Sequence, residues 1–460
     1  MNAERNADNR AVHQDLYFEA MADMDLTKHI GSVDATLRIA ELCQIGPEST
    51  VLDVGCGVGY TPIYLSYEDL RTPVAAVAPV DIGVTGKIYV KDSYIYINEL
   101  HEGIHVIDNA EPSSPQRIAF IPIPGNVDMA IKGTTLYSDS YVDLVAIDIA
   151  DPLNAVEVAR IEDAFPYLTP WPWISEDFVA GGPVETPDES LGVVVGWEQT
   201  LIERQRRDFM FDLASESAVP TAANGSDATG TGGSMARFTI AESFLYALHD
   251  SYIQLVRIDD PVNPSLWSRV DVGWGIETIF PYGDHLFIGS TTGMFIYDNT
   301  DPENPRKLSA FAHVTSCDPV VAQGDYAYVT LRAGSFCGGG VNRLDILDIT
   351  DLTDPQMVES YSMQGPFGLG IDGSTLFVCD GVAGLKVYDA TDPKNIDLIA
   401  FETNHETYDV ILIPPLAIVV GPDGLDPYDY TDVATTGELV LLSHLDVVNP
   451  LPSTSIMHSR

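Results

Sequence analysis

Several charged side chains stand directly before or after short apolar runs that are typical of β-strands. Four acidic residues come before such runs and three charged residues come after others, namely Asp128, Glu277, Asp318 and Asp409 in the first group and Asp139, Arg332 and Asp380 in the second. Carboxylates that converge from separate strands could hold a hard cation such as Ca²⁺, with the first group as the ligand set, or a cationic ligand. The same side chains could instead cap turns or bind water.

A second candidate site lies near the N-terminus, in the segment VLDVGCGVGY. A β-branched run ends at Asp53, and Gly55, Gly57 and Gly59 follow at alternate positions, where glycines let backbone amides approach a ligand. Residues 17–66 resemble the opening of class I S-adenosylmethionine-dependent methyltransferases, whose first motif is matched by these four residues, and the resemblance implies a cofactor loop there. Because the remaining strand-helix units of that fold have no counterpart downstream, we expect an incomplete α/β fragment with a vestigial S-adenosylmethionine motif.

The elements that must position the charged side chains are seven copies of one repeat. The copies align an acidic residue at one position, occupied by Glu111, Asp151, Asp260, Asp301, Asp351, Asp392 and Asp432. Four of the six spacings are about 40 residues, a period that is typical of β-propeller blades. The two longer spacings contain visible insertions.

One copy shows the unit clearly. It reads as the strands IETIFPY, HLFIGS, MFIYD and RKLSAF, with a Gly283-Asp284 turn and the loop NTDPENP between them. In such a loop the aspartate carboxylate can accept backbone N–H bonds, and proline stops further pairing. We therefore expect a mainly β fold, a seven-bladed β-propeller of four-stranded antiparallel blades, preceded by a short N-terminal α/β fragment.

The copies resemble LVIVD repeats, named for the strand seen here as IHVID, LVAID and LDILD. The resemblance covers residues 71–447 and implies a β-propeller that is frequently exported or attached to a bacterial or archaeal surface, generally without an assigned activity. The chain departs from that pattern because a methyltransferase-like segment stands where a signal peptide would be expected. The charged segment MNAERNADNRAVHQDLYFEA has no apolar core and is not a secretory signal as encoded.

The sequence therefore predicts three regions of the chain. Residues 1–70 form the methyltransferase-like fragment, residues 71–450 the propeller, and residues 451–460 a tail. An insertion at 163–234 interrupts the propeller. Trp171 and Trp173 of the insertion either form a ligand platform or pack against the propeller. Its segment VVVGW adds one strand, which is too little for an eighth blade.

In a propeller, the loops that enter the innermost strands and the loops that join second to third strands share one face around the channel. The charged residues named above would therefore line an acidic funnel. The same face receives Cys317 and Cys337, which we expect to form a disulfide in an oxidising compartment and to remain thiols inside a cell. Together with His313 they would need a fourth ligand to hold a metal. We expect Cys379 to be a small residue of the hydrophobic core.

The amino-acid composition limits the kinds of partner that the protein can bind. Acidic residues outnumber basic ones 68 to 23, for a net charge of −45, which repels nucleic-acid phosphates. The most apolar late segment, VILIPPLAIVV, is too short for a membrane span and is broken by Pro414 and Pro415.

Three functions remain open from the sequence. The leading hypothesis is a non-enzymatic binding or scaffold propeller that takes a protein, a cation or a small molecule at the funnel. The second is a hydrolase that uses funnel carboxylates as acid and base, with Arg237 or Arg332 stabilising negative charge. The third is methyl transfer by the N-terminal fragment. Common linear catalytic motifs are missing, but propeller enzymes draw their groups from separate blades.

Overall fold

The structure is a computed structural model that describes residues 57–166, 188–202, 231–313, 319–334 and 341–448. The chain divides into two compact units. The larger unit comprises Thr72–Pro166 and Glu216–Arg460, and the smaller unit comprises Met1–Arg71 and Tyr167–Ser215. Within the described residues, no helix is both long and apolar enough to cross a lipid bilayer.

The smaller unit contains a two-stranded antiparallel sheet. Strand β1 (Gly57–Leu65) leads into the one-turn helix α1 (Tyr67–Leu70), and β1 pairs with β10 (Val193–Ile202), the strand predicted within the insertion. Gly57 and Gly59 thus lie inside an extended strand where the sequence predicted a ligand-binding loop. Asp53 and Gly55 lie outside the described residues, and the described backbone gives the methyltransferase-like interpretation no support.

The larger unit is a β-propeller of seven antiparallel blades, as the sequence predicted. Blade 1 contains β2 (Ile88–Lys91), β3 (Tyr94–Glu99), β4 (Gly103–Asp108) and β5 (Gln116–Pro122), and blade 2 contains β6 (Met129–Lys132), β7 (Thr135–Ser140), β8 (Asp143–Asp148) and β9 (Val156–Ile161). A two-residue strand from the end of the insertion, β11 (Thr231–Gly232), pairs with β2 on the channel side of blade 1.

The next four blades follow without interruption of the pattern. Blade 3 contains β12 (Phe238–Ala241), β13 (Phe244–His249), β14 (Tyr252–Arg257) and β15 (Ser265–Asp271), and blade 4 contains β16 (Ile276–Tyr282), β17 (His285–Ser290), β18 (Gly293–Asp298) and β19 (Arg306–Ala312). Blade 5 contains β20 (Val320–Gln323), β21 (Tyr326–Leu331), β22 (Arg343–Asp348) and β23 (Gln356–Ser362), and blade 6 contains β24 (Leu369–Asp372), β25 (Thr375–Cys379), β26 (Leu385–Asp389) and β27 (Asp397–Glu402).

The last blade has a divided outer strand. It contains β28 (Asp409–Ile413), β29 (Leu416–Gly421) and β30 (Gly424–Asp429), followed by the one-turn helix α2 (Val433–Thr436) and two short strands, β31 (Val440–Leu441) and β32 (Leu445–Asp446). Both short strands pair with β30, so they share the position that one continuous strand occupies in the other blades.

The innermost strands form a closed ring. Each contacts the innermost strand of the next blade, and β28 of blade 7 contacts β2 of blade 1. The inner strands are buried on both faces, as in β4, because each blade packs between two others. The outermost strands, such as β23, are largely exposed. Cys379 is fully buried in the core, as predicted, and burial raises the pKa of its thiol.

The loop after each third strand is held by aspartate side chains, as the repeat predicted. In blade 5, Asp348 accepts hydrogen bonds from the backbone N–H and the hydroxyl of Thr350. Asp351, the aligned acidic residue, does the same for Thr353. Comparable bonds recur in blades 2, 4 and 6. These carboxylates therefore fix the turn that returns the chain to the outer strand.

Candidate functional site

The channel mouth, meaning the face where the chain enters each innermost strand and where second strands turn into third strands, carries most of the predicted site residues. Asp128, Asp380 and Asp409 are buried there, and Glu277 is buried at the start of β16. Asp139 lies near the end of β7 and is partly buried. Asp318, Cys317 and Cys337 lie outside the described residues, so the disulfide stays a prediction.

Asp128 is held by groups from three blades. Its Oδ2 atom lies 3.0 Å from Nζ of Lys87, which comes from the segment before β2, and both side chains are buried. The same oxygen accepts a hydrogen bond from the backbone N–H of Arg237, which stands just before β12. Its Oδ1 atom accepts the N–H of Met129 at 2.6 Å. Because an unpaired buried carboxylate would be costly, this carboxylate joins blades 1, 2 and 3.

Asp139 shapes the segment that contains Asp128. Its Oδ1 atom accepts the backbone N–H groups of Val127 at 2.8 Å and of Asp128 at 2.9 Å. Burial nevertheless raises the pKa of Asp139 to about 6, with the neighbouring Asp128 charge adding to the rise and the Arg237 charge opposing it. The carboxyl group can therefore gain or lose a proton close to neutral pH.

Arg237 lies beside these carboxylates with part of its guanidinium unused. Burial lowers its pKa to about 10, although Asp139, Asp128 and Asp250 all oppose the change. Within the part of the chain that the structure describes, its Nε and Nη2 atoms are buried and have no hydrogen-bond partner. These two nitrogens could therefore donate hydrogen bonds to a water or to an anionic group at the mouth.

Asp409 is held from the other side of the mouth. Its Oδ1 atom accepts the hydroxyl of Ser234 at 3.2 Å and the N–H of Val410 at 3.0 Å. A Cβ atom on either Gly233 or Gly368 would overlap the Asp409 carboxylate, so a larger residue at either position would have to displace that side chain. Burial raises the pKa of Asp409 to about 7, and its hydrogen bonds only partly oppose that rise.

The end of the insertion crosses the channel mouth. Residues 231–232 pair with β2 in blade 1, Ser234 bonds to Asp409 in blade 7 and accepts the N–H of Leu369 in blade 6, and Arg237 bonds to Asp128 in blade 2. The sequence did not predict this path, because the repeat pattern says nothing about how an insertion returns. As a result, two of the predicted funnel carboxylates bind the chain's own backbone.

Two further predicted residues also have partners within the protein. Asp380 accepts backbone N–H groups of Gln364 and Gly365 and lies 2.5 Å from Nζ of Lys386. The guanidinium of Arg332 stacks over the ring of Phe367 at 4.0 Å. These contacts order the loops around blade 6 at the mouth.

The predicted calcium ligands are not brought together in the part of the chain that is described. Asp128, Glu277 and Asp409 form no group of three neighbouring ligand atoms, and Asp318 lies outside the described residues. The calcium site thus stays a prediction. Over the same described residues, the group that does bring together three potential metal ligands is His405, Asp426 and His444.

The sequence did not predict this histidine cluster. The Nδ1 atom of His405 lies 2.7 Å from Oδ2 of Asp426, and the Nδ1 atom of His444 lies 2.6 Å from Oδ1 of the same carboxylate. The two imidazole rings stack with centroids 4.6 Å apart. Asp426 is buried, whereas the two histidines are partly exposed. The sequence signal was weak, because polar residues also occupy the position of Asp426 in other copies of the repeat.

Two exposed apolar side chains lie on loops at the mouth. Trp274, in the loop between β15 and β16, is 51% exposed and stands between Gly273 and Gly275, which both have positive φ. Val382, in the turn between β25 and β26, is 70% exposed. The mouth therefore combines buried carboxylates that are bonded to the chain itself with apolar side chains open to solvent.

Comparisons with known proteins agree with this architecture. Residues 82–119 and 316–363 match the LVIVD repeat family model, so the chain contains LVIVD repeats. Similar solved structures include a Lactobacillus plantarum protein (13% identity, TM-score 0.51, 82% of this chain and 97% of that chain covered) and the periplasmic gluconolactonase of Pseudomonas aeruginosa (11%, 0.49, 83% and 98%). No curated protein matches the chain significantly. At such identities, structural likeness reports on the fold alone.

Proposed function

We propose that this LVIVD-repeat propeller is a non-enzymatic binding or scaffold module that engages a protein partner or a small ligand at its channel mouth. The observation that supports the proposal most directly is the contrast between the centre and the rim of the mouth. The central carboxylates Asp128 and Asp409 are buried and bonded to the chain itself, while Trp274 and Val382 on the rim are exposed.

The rim has the chemistry of a recognition surface. Exposed aromatic and aliphatic side chains on ordered loops act as anchors in interfaces, since burying them against a partner removes apolar area from water. Positive φ at Gly273 and Gly275 lets the chain turn sharply on both sides of Trp274, which leaves the indole ring open to solvent. The net charge of −45 favours a partner that carries basic groups around an apolar contact.

A matched pair of tryptophans tests the proposal. Trp274 at the mouth and Trp267 on the outer strand β15 are 51% and 46% exposed. A photo-crosslinking amino acid placed at position 274 should capture a defined partner from the native source, and the same residue at 267 should not. Val382→Asp should abolish the capture from position 274, whereas Trp267→Ala should retain it, and Trp274→Ala should abolish capture by the same amino acid placed at position 382. Equal capture at both positions, or capture that survives Trp274→Ala, would contradict a binding role for the mouth.

A second candidate function is a hydrolytic enzyme, which Arg237 and Asp139 favour. Asp139 has a raised pKa of about 6, suited to proton transfer, and it lies beside a guanidinium whose Nε and Nη2 atoms have no hydrogen-bond partner and could stabilise developing negative charge. Turnover of a panel of p-nitrophenyl esters and glycosides should then be lost in Asp139→Asn and in Arg237→Lys while both variants keep the wild-type circular dichroism spectrum. Absence of turnover by the wild-type protein across the panel would leave the binding role as the better proposal.

A further inference from the structure

The cluster of His405, Asp426 and His444 in the last blade has the composition of a metal site. We propose that it binds one divalent transition-metal ion of the Zn²⁺ type, with the Asp426 carboxylate and the Nδ1 atoms of both histidines as ligands. The inference is independent of what the channel mouth binds.

The three candidate ligand atoms lie within 4.8 Å of one another. Each Nδ1 atom faces a different oxygen of the same carboxylate, at 2.7 Å for His405 and 2.6 Å for His444. Without metal, each imidazole donates a hydrogen bond from its Nδ1–H to the Asp426 carboxylate. With metal, each ring takes its other neutral tautomer, with the proton on Nε2, and the freed Nδ1 lone pairs coordinate the ion together with the carboxylate. Three protein ligands with one open position are a common zinc arrangement.

A second carboxylate supports the assignment. Oδ1 of Asp446 lies 3.4 Å from Nε2 of His444, on the side of the ring away from Asp426. A carboxylate that faces the far nitrogen of a ligating histidine fixes the tautomer and strengthens the ligand. Asp446 is itself exposed, so it orients His444 without having to be desolvated as a buried charge would.

The donor set also predicts which metals bind. Two imidazole nitrogens and one carboxylate suit Zn²⁺, Co²⁺, Ni²⁺ or Cu²⁺, whereas Ca²⁺ and Mg²⁺ prefer sets made of oxygen ligands. The proposed site is therefore chemically distinct from the calcium site predicted at Asp128, Glu277, Asp318 and Asp409. Excess Ca²⁺ should not displace an ion from the histidine cluster.

The position of the ligands gives the ion a structural role. His405 lies in the connection between β27 and β28, Asp426 lies in β30, and His444 lies between the short strands β31 and β32. An ion bound by all three would tie the divided outer strand of blade 7 to the blade's inner part. Val448, which follows β32, donates its backbone N–H to the carbonyl oxygen of Ile82 near blade 1. An ion bound at this end of blade 7 would therefore also support closure of the ring.

Metal titration of the full chain tests the site. Protein stripped with a chelator is titrated with Co²⁺ and Zn²⁺ in excess Ca²⁺, which occupies the acidic surface, and binding is followed by Co²⁺ absorption bands and by competition with a chromophoric chelator. We expect one ion per chain and a rise in thermal midpoint with Zn²⁺. His405→Ala and His444→Ala should each weaken binding by more than the roughly 10–100-fold that we expect for Asp446→Asn.

The controls separate this cluster from other ligands. His285→Ala, which changes a partly buried histidine at the start of β17, should leave the affinity unchanged. Cys317→Ser with Cys337→Ser should do so as well. The proposal is overturned if the stripped wild-type protein binds no Zn²⁺ that resists Ca²⁺, if binding survives His405→Ala and His444→Ala, or if it is lost in the cysteine variant and kept in His405→Ala. The wild-type result does not depend on whether any variant folds.

Discussion

Asp409 illustrates how a single carboxylate is put to structural use at the channel mouth. It is 3% exposed, and it accepts hydrogen bonds from Ser234 and Val410. Burial penalises the charged form, so the pKa is raised from the ordinary 3.8 to about 7. The folded protein therefore holds this proton to a higher pH than the unfolded chain does. The contribution of Asp409 to stability is complete below the unfolded pKa and is lost as pH rises through the folded pKa.

Asp409→Asn should remove this pH dependence. The amide keeps an oxygen that can accept the same N–H groups but cannot become charged, so the variant's free energy of unfolding should change less than the wild type's between about pH 4 and pH 8. The difference between the two curves should grow by on the order of 1.4 kcal/mol for each unit of pKa shift. Urea denaturation at several pH values measures it. Parallel curves for the two proteins would show that Asp409 is not buried as described.

At the scale of the element, one position of the third strand explains why the sequence did not predict the histidine cluster. The residue three places before the end of that strand is, from blade 1 to blade 7, His105, Val145, Gln254, Phe295, Asp345, Lys386 and Asp426. Where it is polar, the same blade supplies its partner, as Glu99 does for His105 at 2.6 Å and Arg269 does for Gln254 at 2.9 Å. A polar residue there is thus ordinary, and only the loops that carry His405 and His444 make Asp426 a candidate ligand.

The start of the third strand carries a different constraint. Gly103 has a φ of +147°, and a Cβ atom at this position would overlap the carbonyl oxygen of Ile121 in the fourth strand. Gly384 and Gly424 occupy the same place in blades 6 and 7 and show the same close approach to the outer strand. Blades 1, 6 and 7 therefore use glycine where the third and outer strands come together at the mouth.

Gly103→Ala should destabilise the protein by roughly 2–4 kcal/mol, because the methyl group adds a backbone clash to an unfavourable φ. Gly133→Ala is the matched control, since Gly133 also has a positive φ, +57°, but has nothing within 4 Å of the added atom. We expect that variant to lose only about 1 kcal/mol, for the left-handed conformation alone. Chemical denaturation compares the two. Equal losses would mean that the strands can separate to accept the methyl group.

Strands and turns were predictable to the extent that they depend on local sequence. The fourth copy was predicted strand by strand, because alternating apolar residues and the Gly283-Asp284 turn fix each hairpin. The strand in VVVGW was predicted too, but its pairing with β1 was not, since pairing across the insertion leaves no periodic trace. For the same reason the sequence identified Asp128 and Asp409 but not the Ser234 and Arg237 contacts that satisfy them.

At the scale of the whole molecule, the ring closes without exchange of strands between the first and last blades. Blade 1 takes its four main strands from residues 88–122, and blade 7 takes its strands from residues 409–446. The joint between them is a cluster of aliphatic side chains that includes Ile88 and Ile418, supported by bonds such as Thr85 to the carbonyl of Gly421 at 2.6 Å. Closure therefore depends on apolar packing, which long-range charge repulsion opposes.

That repulsion should make the stability of the protein depend on salt. With 68 acidic and 23 basic residues, folding brings an excess of negative charge together, and the cost decreases when ions screen it. The Debye length falls from about 10 Å at 0.1 M salt to about 3 Å at 1 M, so the thermal midpoint should rise over this range.

The identity of the salt separates screening from a strengthened hydrophobic effect. Sodium chloride and tetramethylammonium chloride at equal ionic strength should raise the midpoint equally if screening is the cause, whereas sulfate adds exclusion from apolar surface and should raise it further. Scanning calorimetry across the three salts measures the effect. A midpoint that rises in sulfate but is constant in both chlorides would show that the acidic surface is spaced widely enough to impose no penalty on the closed ring.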